Sequence, residues 1–216
     1  MNYIDFETYS PTPIKWGTYR YAADCEPMIC TFALGETAPV QLWDITTGEP
    51  MPADLAYILE DEDELLCAHS SMFDRNVMRL AMGIDIRRER WRDSMVRALA
   101  HGLPGSLDLL CDILRVSADK AKIKDGKKLI QLFCKPRPAN STIQRATRLT
   151  HPVEWQRFCE YAMNDISAMR EVYNKLPEWN YRGSELALWH LDQKINDRGM
   201  CVDVEFANAA IAAVAR

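Results

Sequence analysis

The sequence lacks several features that would place it in a particular class of protein. Its apolar runs fall well short of the roughly 18 consecutive residues that span a bilayer, so we expect no membrane segment. It has no basic stretch followed by an apolar segment and a small-residue cleavage site, so we expect no secretory signal and a cytoplasmic location. Internal repeats and low-complexity tracts are also absent. The 216 residues suffice for one domain, or for one domain with an extension.

The cysteines are too scattered to indicate a disulfide framework or a zinc site. Their number is odd, and no two of them are spaced as Cys-x-x-Cys. In a cytosolic protein this pattern is typical of reduced thiols packed in the core. The seven cysteines are Cys25, Cys30, Cys67, Cys111, Cys134, Cys159 and Cys201.

Positive charge is concentrated in one segment, although the net charge of −5 does not indicate a nucleic-acid binder. Residues 115–148 contain ten basic residues and two acidic ones, so the segment carries +8 and the remainder carries −13. A basic segment in an acidic protein suggests contact with an anionic partner. A solvated helix face is the alternative. The basic residues are Arg115, Lys120, Lys122, Lys124, Lys127, Lys128, Lys135, Arg137, Arg145 and Arg148.

Hydrophobic patterning predicts an α/β domain, in which early strands are followed by alternating strands and helices. Apolar residues make up 48% of the chain, enough to bury a large core. The predicted strands are Tyr3–Phe6, Met28–Leu34, Val40–Trp43 and Leu65–Ala68. The predicted helices are Pro52–Leu59, Phe73–Met82, Met95–Ala100, Leu107–Leu114, Lys127–Cys134, Ser184–Arg198, Val204–Arg216 and a long one from Pro152 to Pro177. Pro152 suits a first-turn position of that long helix.

Four acids and a tyrosine lie at corresponding places on three of these elements. Asp5 and Glu7 are two residues apart on the first strand, so both side chains leave the same face. Asp74 begins a helix that follows a buried strand. Tyr161 and Asp165 are four residues apart on the long helix and share one face of it. Taken singly, each has an ordinary explanation, such as an acid near a helix N-terminus or a packed tyrosine.

Together these residues indicate metal-dependent phosphodiester hydrolysis. Two hard cations about 3.5–4 Å apart can generate a hydroxide, shield the phosphate and stabilise the leaving oxygen. Mg²⁺ takes carboxylate oxygens as ligands. Four acids placed together would repel one another unless a cation were present.

The motifs resemble those of a known family. DFET, HSSMFD and YAMND are similar to the three motifs of the DEDD 3′–5′ exonucleases of the tyrosine subtype. The histidine subtype would need histidine at position 160, where this chain has Glu160. RDSMVRALAHGLPGSLDLL and KDGKKLIQLFCKPRP resemble the exonuclease domain of bacteriophage and prophage family A DNA polymerases, and LALWHLDQKINDRGMCVDVEFANAA resembles the passage into their polymerase region.

The resemblance implies a fold and a domain arrangement. The fold would be RNase H-like, a mixed sheet flanked by helices, with a C-terminal helical extension. Residues 1–178 would form the exonuclease domain, and residues 179–216 would lead into a polymerase domain of the same full-length chain. We expect a monomer that acts in the cytoplasm of a bacterial host.

The resemblance also implies roles for the five residues. Asp5, Glu7 and Asp165 would bind the metal that carries the nucleophilic water. Asp5 would bridge to a second metal, which Asp74 would hold largely through water. The two ions would be Mg²⁺ or Mn²⁺, and Tyr161 would orient the nucleophile.

The expected substrate is the 3′ end of single-stranded DNA, and the expected products are nucleoside 5′-monophosphates. Lys124, Lys127 and Lys128 would hold its phosphate backbone. Phe73 would stack on a terminal base, with core packing as the alternative. Ser70 stands where the family usually has asparagine, so its contact with the terminal nucleotide would be weaker. Alternatively, Ser70 caps the helix that carries Asp74.

Two other functions remain open at this stage. A stand-alone DEDD ribonuclease would use the same acids, although the polymerase-like tail after Pro177 argues against it. A silent domain could instead bind DNA or brace a polymerase without cutting. The intact set of acids argues against the silent domain, because unpaired acids reduce stability.

Overall fold

The computed structural model describes residues 1–116, 126–138, 140–141 and 143–214. The chain divides into two units, Met1–Tyr181 and Arg182–Arg216. Within the described residues of the first unit, five strands form one sheet in the order β3-β2-β1-β4-β5. The strands are β1 (Asn2–Tyr9), β2 (Glu26–Leu34), β3 (Gln41–Asp44), β4 (Leu66–Ala68) and β5 (Trp91–Asp93).

The sheet is mixed. β1 pairs antiparallel with β2 and parallel with β4, while β2–β3 is antiparallel and β4–β5 is parallel. The centre of β2 is a continuous buried run, as expected of a strand covered on both faces. Helices flank this sheet, which confirms the predicted α/β class and RNase H-like fold.

The helices of the first unit follow the sequence prediction closely. They are α1 (Thr18–Ala23), α2 (Ala53–Glu60), α3 (Met72–Asn76), α4 (Ser94–Leu99), α5 (Leu107–Ile113), α6 (Gly126–Phe133) and α7 (Pro152–Lys175). Pro152 occupies the first turn of α7, as predicted. The second unit contains α8 (Ser184–Arg198) and α9 (Val204–Val214).

One prediction needs correction, and two elements were missed. The predicted helix Phe73–Met82 is the short α3 followed by a π-helical turn, Val77–Ala81. Strand β5 was missed because its three residues include two charged ones and show no alternation. Helix α1 was missed because it is six residues long, too short for a periodic pattern.

Helix α7 lies across β1 and β2 and carries the main core of the domain. Its residues Ile166, Met169 and Tyr173 pack with Tyr3 of β1 in one buried cluster. The Thr31 hydroxyl on β2 donates a 3.3 Å hydrogen bond to the carbonyl of Ala162 on α7. These contacts fix α7 over the middle of the sheet. The residues that the structure describes include no helix both long and apolar enough to cross a membrane.

Candidate active site

The central strand β1 presents Asp5 and Glu7 on one face. Both side chains are half-buried, and they alternate with the buried residues Ile4, Phe6 and Thr8. β1 is the central strand, and it pairs with β2 along its whole length and with β4 at Asn2 and Tyr3. The two carboxylates project from one face of this strand, as the two-residue spacing predicted.

Helix α3 brings a third acid to this strand. The carboxylate of Asp74 is buried, and its Oδ1 accepts a 3.0 Å hydrogen bond from the backbone N–H of Phe6. Phe6 lies between Asp5 and Glu7 in sequence, so this bond fastens Asp74 beside both. Asp74 thus does more than complement the N-terminus of its own helix.

Helix α7 supplies the remaining two residues. Tyr161 is buried, and its hydroxyl donates a hydrogen bond to Asp165 one turn later. Asp5, Tyr161 and Asp165 all line one cavity of about 210 Å³. The structure therefore brings the first strand and the long helix together, as their sequence motifs predicted.

The acids interact strongly as charges. Burial, followed by the charge of Asp165, raises the pKa of Asp5 from 3.8 to about 7. Burial and then the charges of Asp5 and Asp165 raise the pKa of Glu7 well above its usual value. Burial and then Asp5 raise the pKa of Asp74, against the lowering effect of the Phe6 N–H. Each carboxylate is therefore costly to ionise in this environment.

Tyr161 is affected in the same way. Burial, then the charges of Asp165 and Glu7, raise the pKa of its hydroxyl far above the usual value. The hydroxyl therefore keeps its proton at neutral pH. With this proton donated to Asp165, the hydroxyl oxygen can accept a hydrogen bond in the cavity.

The donor chemistry of the site suits hard divalent cations. Mg²⁺ and Mn²⁺ prefer oxygen ligands, and a cation would offset the repulsion that raises the pKa values of these acids. In the part of the chain that the structure describes, no group of three or more His, Cys, Asp or Glu side chains is already arranged to bind one metal ion. The acids are thus close enough to interact as charges without forming a preassembled set of ligands.

Ser70 lies in a strained part of the loop between β4 and α3. Its φ of +68° is in the left-handed region, which residues other than glycine, asparagine and aspartate seldom adopt. The N-cap of α3 is Ser71, whose side chain makes no capping bond. The alternative that Ser70 caps this helix is therefore wrong.

Asp93 organises this loop and was missed by the sequence analysis. Its carboxylate accepts hydrogen bonds from the N–H groups of Ser70 (3.1 Å) and Ser71 (2.7 Å) and from the Ser71 hydroxyl (3.0 Å). The same carboxylate caps α4 through the N–H groups of Met95 and Val96. An Asp followed by an apolar run could have predicted the helix cap. Nothing in the sequence indicated the contact with a loop more than 20 residues away.

Three further residues near the acids were also missed. His69 and Asp108 line the cavity that Asp5 shares. The His69 ring is held by the Ser94 hydroxyl at 2.8 Å and the Gly105 carbonyl at 2.9 Å. The thiol of Cys134 donates a 3.7 Å hydrogen bond to Oε2 of Glu7. In sequence, Asp108 resembles any acid in a first helical turn and Cys134 resembles any core thiol.

Phe73 lies beside this site, at the edge of a larger apolar pocket. Its half-buried ring packs against Tyr21, with ring centroids 5.7 Å apart. The pocket has a volume of about 730 Å³. Its lining comprises Ser10, Pro11, Thr12, Pro13, Ile14, Lys15, Tyr21, Phe73, Ile130, Cys134, Lys135 and Pro136.

The basic segment is described only in part. Lys127 and Lys128 are exposed on α6 and line an open groove of about 800 Å³ together with Arg137. Lys124 lies outside the described residues. The groove and the Phe73 pocket share Pro136 as a lining residue, so they adjoin.

Comparison with known proteins gives a relative and more than one similar solved structure. The chain is 34% identical over 215 residues to a DNA polymerase of Bacillus phage SP02. This similarity covers 97% of the chain but only 33% of that polymerase, so the chain spans about one third of its relative's length. The structure is similar to NrnC of Brucella melitensis, with a TM-score of 0.54 and 16% sequence identity over 89% of this chain and 79% of that chain. At this identity the likeness shows the fold alone. No family model matches the chain.

Proposed function

We propose that this chain is the 3′–5′ proofreading exonuclease domain of a phage-type DNA polymerase. It removes nucleotides one at a time from a single-stranded DNA 3′ end and releases nucleoside 5′-monophosphates. The observation that carries the proposal is a group of carboxylates, Asp5, Glu7 and Asp74, that repel one another and are costly to ionise. Tyr161 and Asp165 line the same cavity as Asp5. A cluster of acids with strongly raised pKa values is typical of a functional site rather than of a structural one.

The acids suit the binding of two divalent ions, Mg²⁺ or Mn²⁺. Asp5, Glu7 and Asp165 would hold one ion, and Asp5 and Asp74 would hold the other. When bound, such ions supply a nucleophilic hydroxide at neutral pH and stabilise the charge of the leaving oxygen.

The protein's own groups would fix the reactants. The Tyr161 hydroxyl donates its one proton to Asp165, so it would orient the attacking water by accepting a hydrogen bond on its oxygen. Asp74 accepts a hydrogen bond from the Phe6 N–H and so fixes α3 against β1. The rigidity of β1 matters because in-line attack tolerates little misplacement.

The neighbouring surfaces fit a single strand. The Phe73 pocket offers aromatic and proline surfaces on which bases can stack, and stacking is tolerant of sequence. The adjoining groove offers Lys127 and Lys128 to the phosphates. The combination of stacking surface and cationic groove is what a sequence-independent single-strand binder requires.

The similarity to a longer phage polymerase supports a domain of a larger chain. Because the matched region is one third of that relative, we propose that the unit Arg182–Arg216 leads into a polymerase domain. We extend the proposal to a monomeric enzyme in the cytoplasm of a bacterial host.

The test is digestion of a 5′-labelled single-stranded oligonucleotide by the 216-residue chain, with mass analysis of the products. We expect a ladder shortened from the 3′ end and nucleoside 5′-monophosphates, with Mg²⁺ or Mn²⁺ and not with a chelator. Asp5→Ala and Asp165→Ala, both folded, are the controls for contaminating nuclease. Cleavage that persists in either variant would overturn the assignment. Binding without cleavage would indicate a silent domain, and a strong preference for RNA would indicate a ribonuclease.

A further inference from the structure

Gly126, the first residue of α6, lies against the ring of Tyr161. A Cβ at this glycine would be 2.5 Å from Cε2, 2.8 Å from Cδ2 and 3.2 Å from Cζ of the tyrosine. Cβ contacts under 3.0 Å essentially never occur, so any other residue would force one of the two to move. The φ of Gly126 is outside the left-handed region, so the backbone conformation does not itself call for glycine.

The tyrosine ring is also held on its other sides. It is parallel to the ring of Phe158, with a centroid separation of 6.3 Å and an interplanar angle of 4°. Phe158 in turn stacks on Phe133, at 5.2 Å and 23°. Phe133 is the last residue of α6, so that helix contacts the α7 aromatic residues at both its ends. The Tyr161 hydroxyl is bonded to Asp165.

We propose that Gly126 is a positioning residue for Tyr161. Its missing side chain lets the ring lie where the hydroxyl reaches Asp165 at the cavity that Asp5 lines. The inference rests on the proposed function, because it concerns the orientation of the nucleophile by that hydroxyl. It makes α6, whose Lys127 and Lys128 face the groove, the element that also sets the tyrosine's position.

The expected effect follows from the size of the clash. We expect the Tyr161 ring, which is a side chain, to move rather than the α6 backbone, and an ordinary contact of 3.4 Å or more requires a shift of about 1 Å. A misplacement of about 1 Å can reduce catalysis by about a hundredfold. Gly126→Ala should therefore lower kcat by roughly tenfold to a hundredfold and leave KM nearly unchanged, because it removes no group that contacts DNA.

A four-protein cycle separates this role from a general structural one. The proteins are the unaltered chain, Gly126→Ala, Tyr161→Ala and the double variant. Alanine is the better helix former, so without a clash Gly126→Ala would raise the Tm. We expect it instead to lower the Tm when Tyr161 is present, and to leave it unchanged or raise it in Tyr161→Ala, where the ring is gone.

The kinetic readout should follow the same pattern. When Tyr161 is present, Gly126→Ala should lower kcat at least tenfold. In the Tyr161→Ala background, the same substitution should lower kcat less than about twofold. An equal loss in both backgrounds would show that Gly126 acts by another route, and a Gly126→Ala chain with unaltered Tm and kcat would overturn the proposal while the exonuclease assignment stands. If the unaltered chain does not cleave DNA, the proposed function fails, and the proposal that Gly126 positions Tyr161 for catalysis falls with it. The melting cycle would then still report the steric contact.

Discussion

The backbone N–H of Phe6 donates a 3.0 Å hydrogen bond to Oδ1 of Asp74, although the two residues are 68 positions apart. This bond joins the strand that carries Asp5 and Glu7 to the helix that carries Asp74. It also gives the carboxylate a structural role in addition to its proposed metal-binding role. The two roles can be separated by substitution.

Asp74→Asn should lose cleavage by at least a hundredfold and remain stable. Asparagine keeps an Oδ1 acceptor for Phe6 and removes a charge that repels Asp5, so the Tm in a chelator should equal or exceed that of the unaltered chain. Asp74→Ala leaves the Phe6 N–H without its acceptor, which typically costs about 1–3 kcal/mol. Thermal melts in a chelator should therefore rank Asn above Ala. The reverse ranking would show that the hydrogen bond contributes little.

The metal-free chain should lose stability as pH rises, because the folded-state pKa of Asp5 is raised to about 7. Between its usual 3.8 and about 7, the unfolded chain has released this proton while the folded chain retains it. Stability from this group therefore falls with rising pH across that range. Glu7 and Asp74 are shifted in the same direction.

Melts at pH 5 and pH 8 with and without Mg²⁺ would measure this effect. The pKa of His69 is lowered by burial and gives an opposite trend below its usual 6.5, so Asp5→Asn serves as the reference. We expect the Tm of the unaltered chain to fall more between pH 5 and pH 8 than the Tm of Asp5→Asn. At pH 8, Mg²⁺ should raise the Tm of the unaltered chain more than that of Asp5→Asn. Equal losses in both proteins would contradict the shift at Asp5.

Tyr161→Phe should reduce cleavage less than Asp165→Ala. The substitution removes one hydroxyl and leaves the four acids intact, so we expect a fall in kcat of roughly tenfold to a hundredfold with KM nearly constant. Because the hydroxyl stays protonated, its ionisation should not limit the rate between pH 7 and about 9. Single-turnover rates against pH would check both points. A Tyr161→Phe chain as inactive as Asp165→Ala, with normal metal binding, would give the tyrosine a larger role.

Lys127 and Lys128 should contribute affinity for DNA and little to the chemical step. On a single strand each neutralised phosphate contributes about −0.7 to the slope of log K against log salt. Lys127→Gln with Lys128→Gln should therefore flatten that slope by up to about 1.4. Cleavage at saturating DNA should change less than about twofold. Lys194→Gln, an exposed lysine on α8, is the matched control, and an unaltered slope in the double variant would mean that α6 presents a solvated face.

Ser70→Asn should be tolerated and should raise cleavage by less than about tenfold. The φ of +68° at this position suits asparagine better than serine, so the Tm should not fall. The side-chain amide offers a donor and an acceptor where serine has one hydroxyl, and a neutral hydrogen bond is worth roughly 0.5–1.5 kcal/mol. Steady-state cleavage and melts of Ser70→Asn and Ser70→Ala would test this. Lower cleavage with asparagine would show that the site has adapted around serine.

Patterns of neighbouring residues were enough to predict the local structure that bears the site. The two-residue spacing of Asp5 and Glu7 and the four-residue spacing of Tyr161 and Asp165 place each pair on one face, because strand and helix periodicities are properties of neighbouring residues. The same reasoning located α7, bounded by Pro152 and Pro177. It failed for the short β5 and for the π-helical turn after α3, where fewer than two periods are available.

How these helices and strands meet could be seen only in the folded protein. Phe6 binds Asp74, Cys134 binds Glu7 from 127 residues away, and Gly126 makes room for the ring of Tyr161. In the sequence these three partners look like a strand residue, a core thiol and a helix start. Their contacts join elements that are distant along the chain, and the sheet order and the packing of α6 on α7 decide which of them become neighbours.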